Sequence, residues 1–323
     1  MRRMILKQMA CFTALAIGVA TGAVAQDFPK KQPVKIIVAT VAGGLTDLLA
    51  RITADYLSKR LGQAVVVENK PGASSTIGAD FVAKAAPDGY TLYLAGGELA
   101  VIPAVRTNMP YKFDEFTFLT RAFTVQPLLI AGPKAPFNTA AELVAYMKAN
   151  PGKARYGTTG VGAIAHLGTA MFESSAGVKG VHVPYPGIAP VYQDLLAGTI
   201  EFADGATPPQ QESMKILASV GSKRNSTYPN VPTLDEIGIK GASWDVWFGF
   251  VAPPNLPKPI ADKLNAEFDA LFKDPEVIAK FLASAKVAPD PKSLVGDAFK
   301  KQVLEDYKGW KTVVDREKIV VQQ

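Results

Sequence analysis

Four glycine-rich turns are the parts of this sequence whose residue types could do chemistry. They cover residues 42–47, 71–78, 95–98 and 157–166, and each one lies beside a β-type or helical run. Glycine lets the backbone approach a ligand closely, and free N–H groups at the start of a helix favour an anion. Ser and Thr hydroxyls in the same turns can add hydrogen bonds. The pattern therefore predicts an anion-binding site, with tight structural turns as the simplest competing interpretation.

Nucleotide binding and catalysis find little support in these turns. None of them matches GxGxxG, GxxxxGK[ST] or the nucleophile elbow GxSxG. The chain has two histidines and one cysteine, Cys11, without the spacing of a metal site. Ser74 or Ser75 with His166 could form a nucleophile–base pair, so a hydrolase is the remaining catalytic alternative. We expect a binding protein with no cofactor.

The first residues have the features of an export signal. Arg2, Arg3 and Lys7 precede an apolar stretch at residues 9–20, and residues 23–25 have the small-x-small pattern of signal peptidase sites. Residues 1–25 are therefore predicted to be a signal peptide, cleaved on the general secretory or the twin-arginine route. The remaining chain is only weakly positive and has no basic cluster interleaved with aromatics, which argues against nucleic acid as a partner.

Alternating strand and helix patterns must position the turns. The run 34–38 has a buried-strand pattern, apolar residues recur at helical spacing over 45–57, and Gly62 is placed for a C-terminal cap. Further strands are predicted at 65–67, 90–94, 128–131 and 247–252, and further helices at 76–86, 139–150, 166–176 and 190–197 and from Pro259, Pro275 and Ser293. Such alternation favours an α/β fold with a largely parallel sheet, whose strand ends bring the turns together.

Motifs along most of the mature chain also occur in the order and spacing of one known family. They include Ala42-Gly43-Gly44 with Asp47, Val67-Glu68-Asn69-Lys70-Pro71-Gly72-Ala73, Ala85-Ala86-Pro87-Asp88-Gly89-Tyr90, Gly160-Val161-Gly162 with His166, His182-Val183-Pro184-Tyr185 and Trp247-Phe248-Gly249. On these residues the chain resembles the Bug family, the extracytoplasmic solute-binding receptors of tripartite tricarboxylate transporters.

The resemblance implies a two-lobed periplasmic-binding-protein-like fold of type II. Each lobe would be a mixed, mostly parallel sheet flanked by helices, with the ligand cleft between the lobes. Lobe I would hold residues 26–127 and 251–323, and lobe II residues 128–250. The ligand would be a small organic acid, held largely by backbone groups of the loops.

The candidate ligand-binding residues lie in the glycine-rich turns and, through the resemblance, in two further loops of lobe II. They are Ala42, Gly43, Gly44, Asp47, Ser74, Ser75, Thr76, Gly97, Glu98, Thr158, Thr159, Gly160, Gly162, Ala163, His166, Tyr185 and Asp204.

Several positions depart from the family pattern at or near these loops. Residues 74–75 are serines where Gly-Gly is common, Ala163 replaces a serine, Pro186 replaces a lysine, and residues 208–211 are rich in proline and glutamine. Glu98 stands where a small or hydroxyl residue is common. It either caps the nearby helix, turns to solvent, or meets a cationic or donor group of the ligand. The identity of the ligand therefore cannot be transferred from the family.

The expected partners follow from the same resemblance. We expect a monomer that presents its ligand to the permease subunits of a tripartite tricarboxylate-type transporter. An orphan receptor that presents its ligand to a membrane-bound sensor kinase is the second hypothesis, and the sequence does not separate the two.

Overall fold

The computed structural model describes residues 28–205 and 212–319. The predicted signal peptide and segment 208–211 lie outside these ranges. Within them, none of the helices combines the length and the apolar composition that crossing a membrane requires.

Strands and helices alternate along the described chain, as the patterns predict. The strands are β1 (Val34–Val38), β2 (Val65–Asn69), β3 (Thr91–Gly96), β4 (Thr117–Val125), β5 (Leu128–Ala131), β6 (Arg155–Thr158), β7 (Val181–Pro184), β8 (Phe202–Gly205), β9 (Lys215–Ser219), β10 (Val246–Ala252) and β11 (Pro289–Val295). The helices are α1 (Leu45–Leu61), α2 (Thr76–Ala83), α3 (Glu98–Val105), α4 (Ala140–Ala149), α5 (Ile164–Ala176), α6 (Ile188–Ala197), α7 (Lys258–Lys273), α8 (Pro275–Ala285) and α9 (Asp297–Glu317).

The strands form two sheets with the same connectivity. The first has the order β11-β4-β10-β3-β1-β2 and the second the order β7-β6-β8-β5-β9. In the first, β1 pairs in parallel with β2 and β3, and the antiparallel β10 is inserted between β3 and β4. In the second, β6 pairs in parallel with β7 and β8, and the antiparallel β5 is inserted between β8 and β9. The expected α/β architecture with two mixed sheets flanked by helices is confirmed; two of the five strand pairings in the first sheet and two of the four in the second are parallel.

The chain passes between the lobes after β4 and returns before β10. Because β10 lies entirely in the first sheet, the return falls before Val246, earlier than the expected boundary at residues 250–251. We therefore propose residue 245 as the end of lobe II. All residues of β10 are buried, so this returning strand belongs to the core of lobe I.

Local signals explain most helix boundaries. The hydroxyl of Thr139 accepts the N–H of Glu142 at 3.1 Å, as the capping motif predicts, and Gly62 ends α1 with φ +61°. The helix expected from Ser293 begins at Asp297 instead, after β11. Strands β4, β6, β8, β9 and β11 were not among the predicted strands. Strand β11 contains Pro289, which its position at the edge of the sheet tolerates.

Candidate functional site

Five helices follow strands that pair in parallel within the two sheets. Helices α1, α2 and α3 follow β1, β2 and β3 in lobe I, and α5 and α6 follow β6 and β7 in lobe II. None of their N-cap residues makes a side-chain cap; these are Gly44, Ser75, Gly97, Ala163 and Gly187. Elsewhere, Thr139 and Asp274 cap α4 and α8 with their side chains, whereas α7 and α9 also begin without one. First-turn N–H groups of α1, α2, α5 and α6 are thus left without capping side chains, which favours an anion. At α3 the carboxyl of Glu98 lies at the helix start and accepts the N–H of Gly96.

The turn between β1 and α1 is held by a buried carboxylate. Asp47 is only 2% exposed, and its Oδ2 accepts the N–H of Gly43 at 2.9 Å. Arg51 donates to both oxygens of Asp47, at 2.8 and 2.9 Å. Asn69, at the end of β2, donates to Oδ1 at 3.0 Å and to the carbonyl oxygen of Thr40 at 3.1 Å. The cluster fixes the shape of the turn and joins it to β2.

These contacts revise the expected role of two candidates. Burial alone would raise the pKa of Asp47, but the hydrogen bonds from Arg51, Gly43 and Asn69 lower it to about 2. Asp47 is therefore an ionised anchor of the turn, and the N–H of Gly43 is occupied by it. The sequence analysis missed Arg51 and Asn69, although the spacing of Asp47 and Arg51 by four residues on one helix was a visible signal.

The turn between β2 and α2 has an unusual backbone. Ala73, Ser74 and Ser75 have φ values of +47°, +53° and +72°, a region that residues other than glycine rarely adopt. Ser74 is exposed, and the hydroxyl of Ser75 lies 3.4 Å from the carbonyl oxygen of Ala39. The buried hydroxyl of Thr76 has no hydrogen-bond partner in the described residues. The three left-handed residues therefore stand in place of the glycines that such a turn favours.

The third turn of lobe I contains the candidates Gly97 and Glu98. Oε1 of Glu98 accepts the N–H of Gly96 at 2.9 Å and the hydroxyl of Tyr93 at 3.1 Å, and burial raises the pKa of this carboxyl. This geometry supports the capping interpretation of Glu98. A Cβ at Gly97 would lie 2.9 Å from Cδ1 of Ile164, so this turn packs directly against lobe II.

The turn between β6 and α5 is held by an imidazole. Nδ1 of His166 accepts the N–H of Gly162 at 3.1 Å. The His166 ring stacks on His182 with a centroid distance of 3.9 Å and an interplanar angle of 10°. Thr158 is 1% exposed, and its Oγ1 lies 2.6 Å from Nε2 of His182 and donates to the carbonyl oxygen of Gly160 at 3.1 Å. The hydroxyl of Thr158 is therefore engaged inside the lobe, which does not support its expected contact with a ligand.

Burial keeps this imidazole pair neutral. It lowers the pKa of His166 to about 4, with His182 and Lys179 adding to the effect, and it also lowers the pKa of His182. Nδ1 of His166 consequently remains a hydrogen-bond acceptor near neutral pH. Neither Ser74 nor Ser75 donates to either ring in the described residues, so the suggested nucleophile–base pair is not formed.

The two remaining candidates of lobe II differ from each other. The hydroxyl of Tyr185 donates to Asp194 at 2.6 Å, and burial together with Asp194 raises the pKa of Tyr185 to about 12. Asp204, at the end of β8, is 3% exposed and its Oδ1 has no partner in the described residues. Burial raises the pKa of Asp204 well above the ordinary value. The nearby indole N–H of Trp244 opposes this rise, although no hydrogen bond of good geometry joins the two side chains. Tyr185 is thus occupied, whereas Asp204 retains an unsatisfied carboxyl oxygen.

The accessible parts of the turns are free of charged side chains. Residues 41–44, 72–74 and 159–161 are exposed or half-exposed and contain only apolar residues, glycine, serine and threonine. By contrast, a cavity of about 860 Å³ lined by residues 103–114 and the end of α9 contains none of the candidate residues. The chemistry of the turns, and not cavity size, therefore identifies the candidate site.

The fold and these turns define a two-lobed solute-binding protein. Residues 49–318 match the family model described as tripartite tricarboxylate transporter family receptor, and the chain belongs to this family. A UPF0065 protein of Agrobacterium vitis is 38% identical over 274 residues, which are 82% of this chain and 79% of that protein. Protein BugT of Bordetella pertussis is 31% identical over 306 residues, 92% of each chain. The resemblance to the Bug family is confirmed.

Solved structures agree with this assignment. The periplasmic binding protein BugD is 32% identical, with a TM-score of 0.80 over 90% of this chain and 99% of that one. A Rhodopseudomonas palustris protein with adipate, Rpa4515, is 28% identical, with a TM-score of 0.82 over 91% and 99% of the two chains. MatC of the same organism with bound malate is 28% identical, with a TM-score of 0.76 over 89% and 100%. The chain is a solute-binding protein and not an enzyme.

Proposed function

We propose that this chain is an extracytoplasmic receptor that captures a small carboxylated molecule between its lobes for a tripartite tricarboxylate-type transporter. The observation that carries the proposal is the set of helix starts at α1, α2, α5 and α6, which have no side-chain caps and whose turns expose no charged side chain. Such N–H groups accept a carboxylate without the help of a cationic side chain. Two similar structures contain adipate and malate, which supports this ligand class.

The site divides into contacting groups and anchors. The ligand is held by the backbone and hydroxyls of the accessible turns, chiefly at Ala42, Gly44, residues 74–76 and residues 159–163. Asp47, Glu98 and His166 lie behind these groups and fix the glycine amides beside them. Asp204 is the candidate that meets a donor group of the ligand, because its buried Oδ1 is unpartnered. Export would follow cleavage after residue 25.

A thermal-shift screen tests the ligand class. Binding to the folded state alone raises the melting temperature as ligand concentration increases. We expect one or more mono- or dicarboxylates to raise it, and the corresponding amides or methyl esters to have no effect at equal concentration. If no carboxylate at millimolar concentration shifts the melting curve, the proposal is wrong. Uptake of the ligand found in this way, measured with and without the permease subunits, then separates transport from sensing.

A further inference from the structure

A cavity of about 310 Å³ lies between the lobes, beside helix α9. Trp244, Trp247 and Trp310 line it, and they are the three tryptophans of the chain. Gly97 of lobe I and Ile164 of lobe II form part of its wall. We call this space the tryptophan cavity. Its volume is in the range of small-molecule sites.

The three indoles are held in fixed orientations. The rings of Trp244 and Trp310 meet edge to face, with centroids 5.8 Å apart at 75°. Trp247 packs edge to face on Phe299 at 5.2 Å, and its Nε1 donates to Oδ2 of Asp306 at 2.8 Å. Each indole is less than one-tenth exposed, so little rotamer freedom remains to be lost when a ligand binds.

The charged groups of the lining are all carboxylates. Asp245, Glu305 and Asp306 line the cavity, and no lysine or arginine of the described chain does. Lys301 approaches Glu305 only to 3.9 Å, and Asp245 accepts hydrogen bonds from the N–H and hydroxyl of Ser222. The lining therefore lacks a cation of its own.

Asp306 is held by the Trp247 indole. Burial raises the pKa of its carboxyl, while the Trp247 hydrogen bond and the charge of Arg121 oppose the shift. A metal ion is not the expected occupant, because the described residues contain no group of three His, Cys, Asp or Glu placed to hold one. Indole rings beside carboxylates favour an organic cation, since an indole attracts positive charge to its face.

We propose that the tryptophan cavity is a second binding site, which adjoins the candidate turns at Gly97, and that it takes a small organic ammonium ion with an apolar body. The indoles would surround the methyl or methylene groups, and the carboxylates would balance the charge. Because both lobes contribute to the wall, occupation of the cavity would also favour one arrangement of the lobes.

Choline and its neutral carbon isostere, 3,3-dimethylbutan-1-ol, test the proposal directly. The two molecules have nearly the same shape and differ in charge. Because every tryptophan lines the cavity, intrinsic fluorescence reports its occupation, and calorimetry measures the affinity. We expect choline to bind and the alcohol to bind at least about tenfold more weakly. Equal affinities, or no binding of choline at millimolar concentration, would overturn the proposal.

Substitutions locate the binding. We expect Trp310→Leu and Asp306→Asn each to weaken choline binding by about 3- to 30-fold. Trp310→Phe retains an aromatic ring, so it should weaken choline binding by less. Glu115→Gln removes an exposed carboxylate that pairs with Lys112 outside the cavity and serves as the charge-matched control. Circular dichroism verifies folding, and Trp310→Phe remains informative if Trp310→Leu does not fold. Choline affinity that is the same in every folded variant would place the binding elsewhere and refute the site.

Discussion

The turns that begin α1 and α5 have the same construction and different chemistry. In each, the N–H of a turn glycine is accepted by a side chain four residues later, in the first turn of the following helix. The distances are 2.9 Å from Gly43 to Asp47 and 3.1 Å from Gly162 to His166. In lobe I the acceptor is an ionised carboxylate paired with Arg51, whereas in lobe II it is a neutral imidazole stacked on a second imidazole.

The comparison explains why charged or titratable residues stand beside the proposed anion-binding surface. Asp47 and His166 shape the turns and direct their own acceptor atoms at glycine amides, so they add no charge to the accessible surface. Glu98 does the same with the N–H of Gly96. The anchors can therefore differ in charge between the lobes while the backbone presented to the ligand stays similar.

The largest expected effect comes from blocking the backbone at the start of α1, next to the glycine whose N–H Asp47 accepts. Gly44 has φ −80°, and a Cβ there would meet no atom closer than 3.9 Å, so a side chain is accommodated without strain. Gly44→Val should lower affinity for the identified carboxylate by about 100-fold or more, because close approach to the helix start is lost. Calorimetry measures the affinity. Unchanged binding would show that the start of α1 does not contact the ligand.

The charged anchor should matter for stability as well as binding. Asp47→Asn removes the charge that Arg51 and the Gly43 amide stabilise, and we expect a loss of about 2 kcal/mol, moderated because Arg51 is half exposed. Asp55→Asn is the matched control, since Asp55 pairs with Lys59 on the same helix but is exposed. Urea unfolding compares the two variants. Equal, small losses would mean that Asp47 does not anchor the turn.

The neutral anchor should give the lobe II turn a different pH dependence. His166 binds its proton with a pKa of about 4 in the folded chain and near 6.5 when unfolded. Between these values the unfolded state holds more protons, so stability falls as the pH decreases from about 6.5 to about 4. The Asp47 contribution is retained until the pH falls below 3.8, toward a pKa of about 2.

His166→Asn isolates this effect, because the amide oxygen can still accept an N–H but does not titrate. We expect the wild type to lose about 1 kcal/mol more than the variant between pH 6.5 and pH 4, after allowance for partial exposure. This corresponds to a difference of about 2–4 °C in melting temperature. Thermal melts at a series of pH values measure it. Parallel curves for the two proteins would contradict a neutral, titrating anchor.

The architecture was readable from the sequence, whereas the roles of individual site residues were not. A continuous apolar run predicted β1, helical spacing predicted α1, and the capping box predicted the helix start at Thr139, because those signals are local. The direction of Asp47 and His166 depends on the left-handed or extended backbone of the turn before each helix, and on partners such as Asn69 and His182 that are distant in sequence. Composition and spacing contain no record of those contacts, so both residues were expected to face the ligand.

The smallest expected effect concerns the third anchor, Glu98. Oε1 of Glu98 accepts the N–H of Gly96 and the hydroxyl of Tyr93, and burial raises the pKa of the carboxyl. Glu98→Gln retains an acceptor oxygen in the same position. Affinity for a carboxylate should therefore remain unchanged, and the free energy of unfolding should change by no more than about 0.5 kcal/mol. Calorimetry with the identified ligand and with an amino-bearing analogue makes the comparison. Weaker binding of the amino-bearing analogue alone would instead place Glu98 against the ligand. Glu98 would then differ from Asp47, which accepts a glycine amide and does not face the ligand.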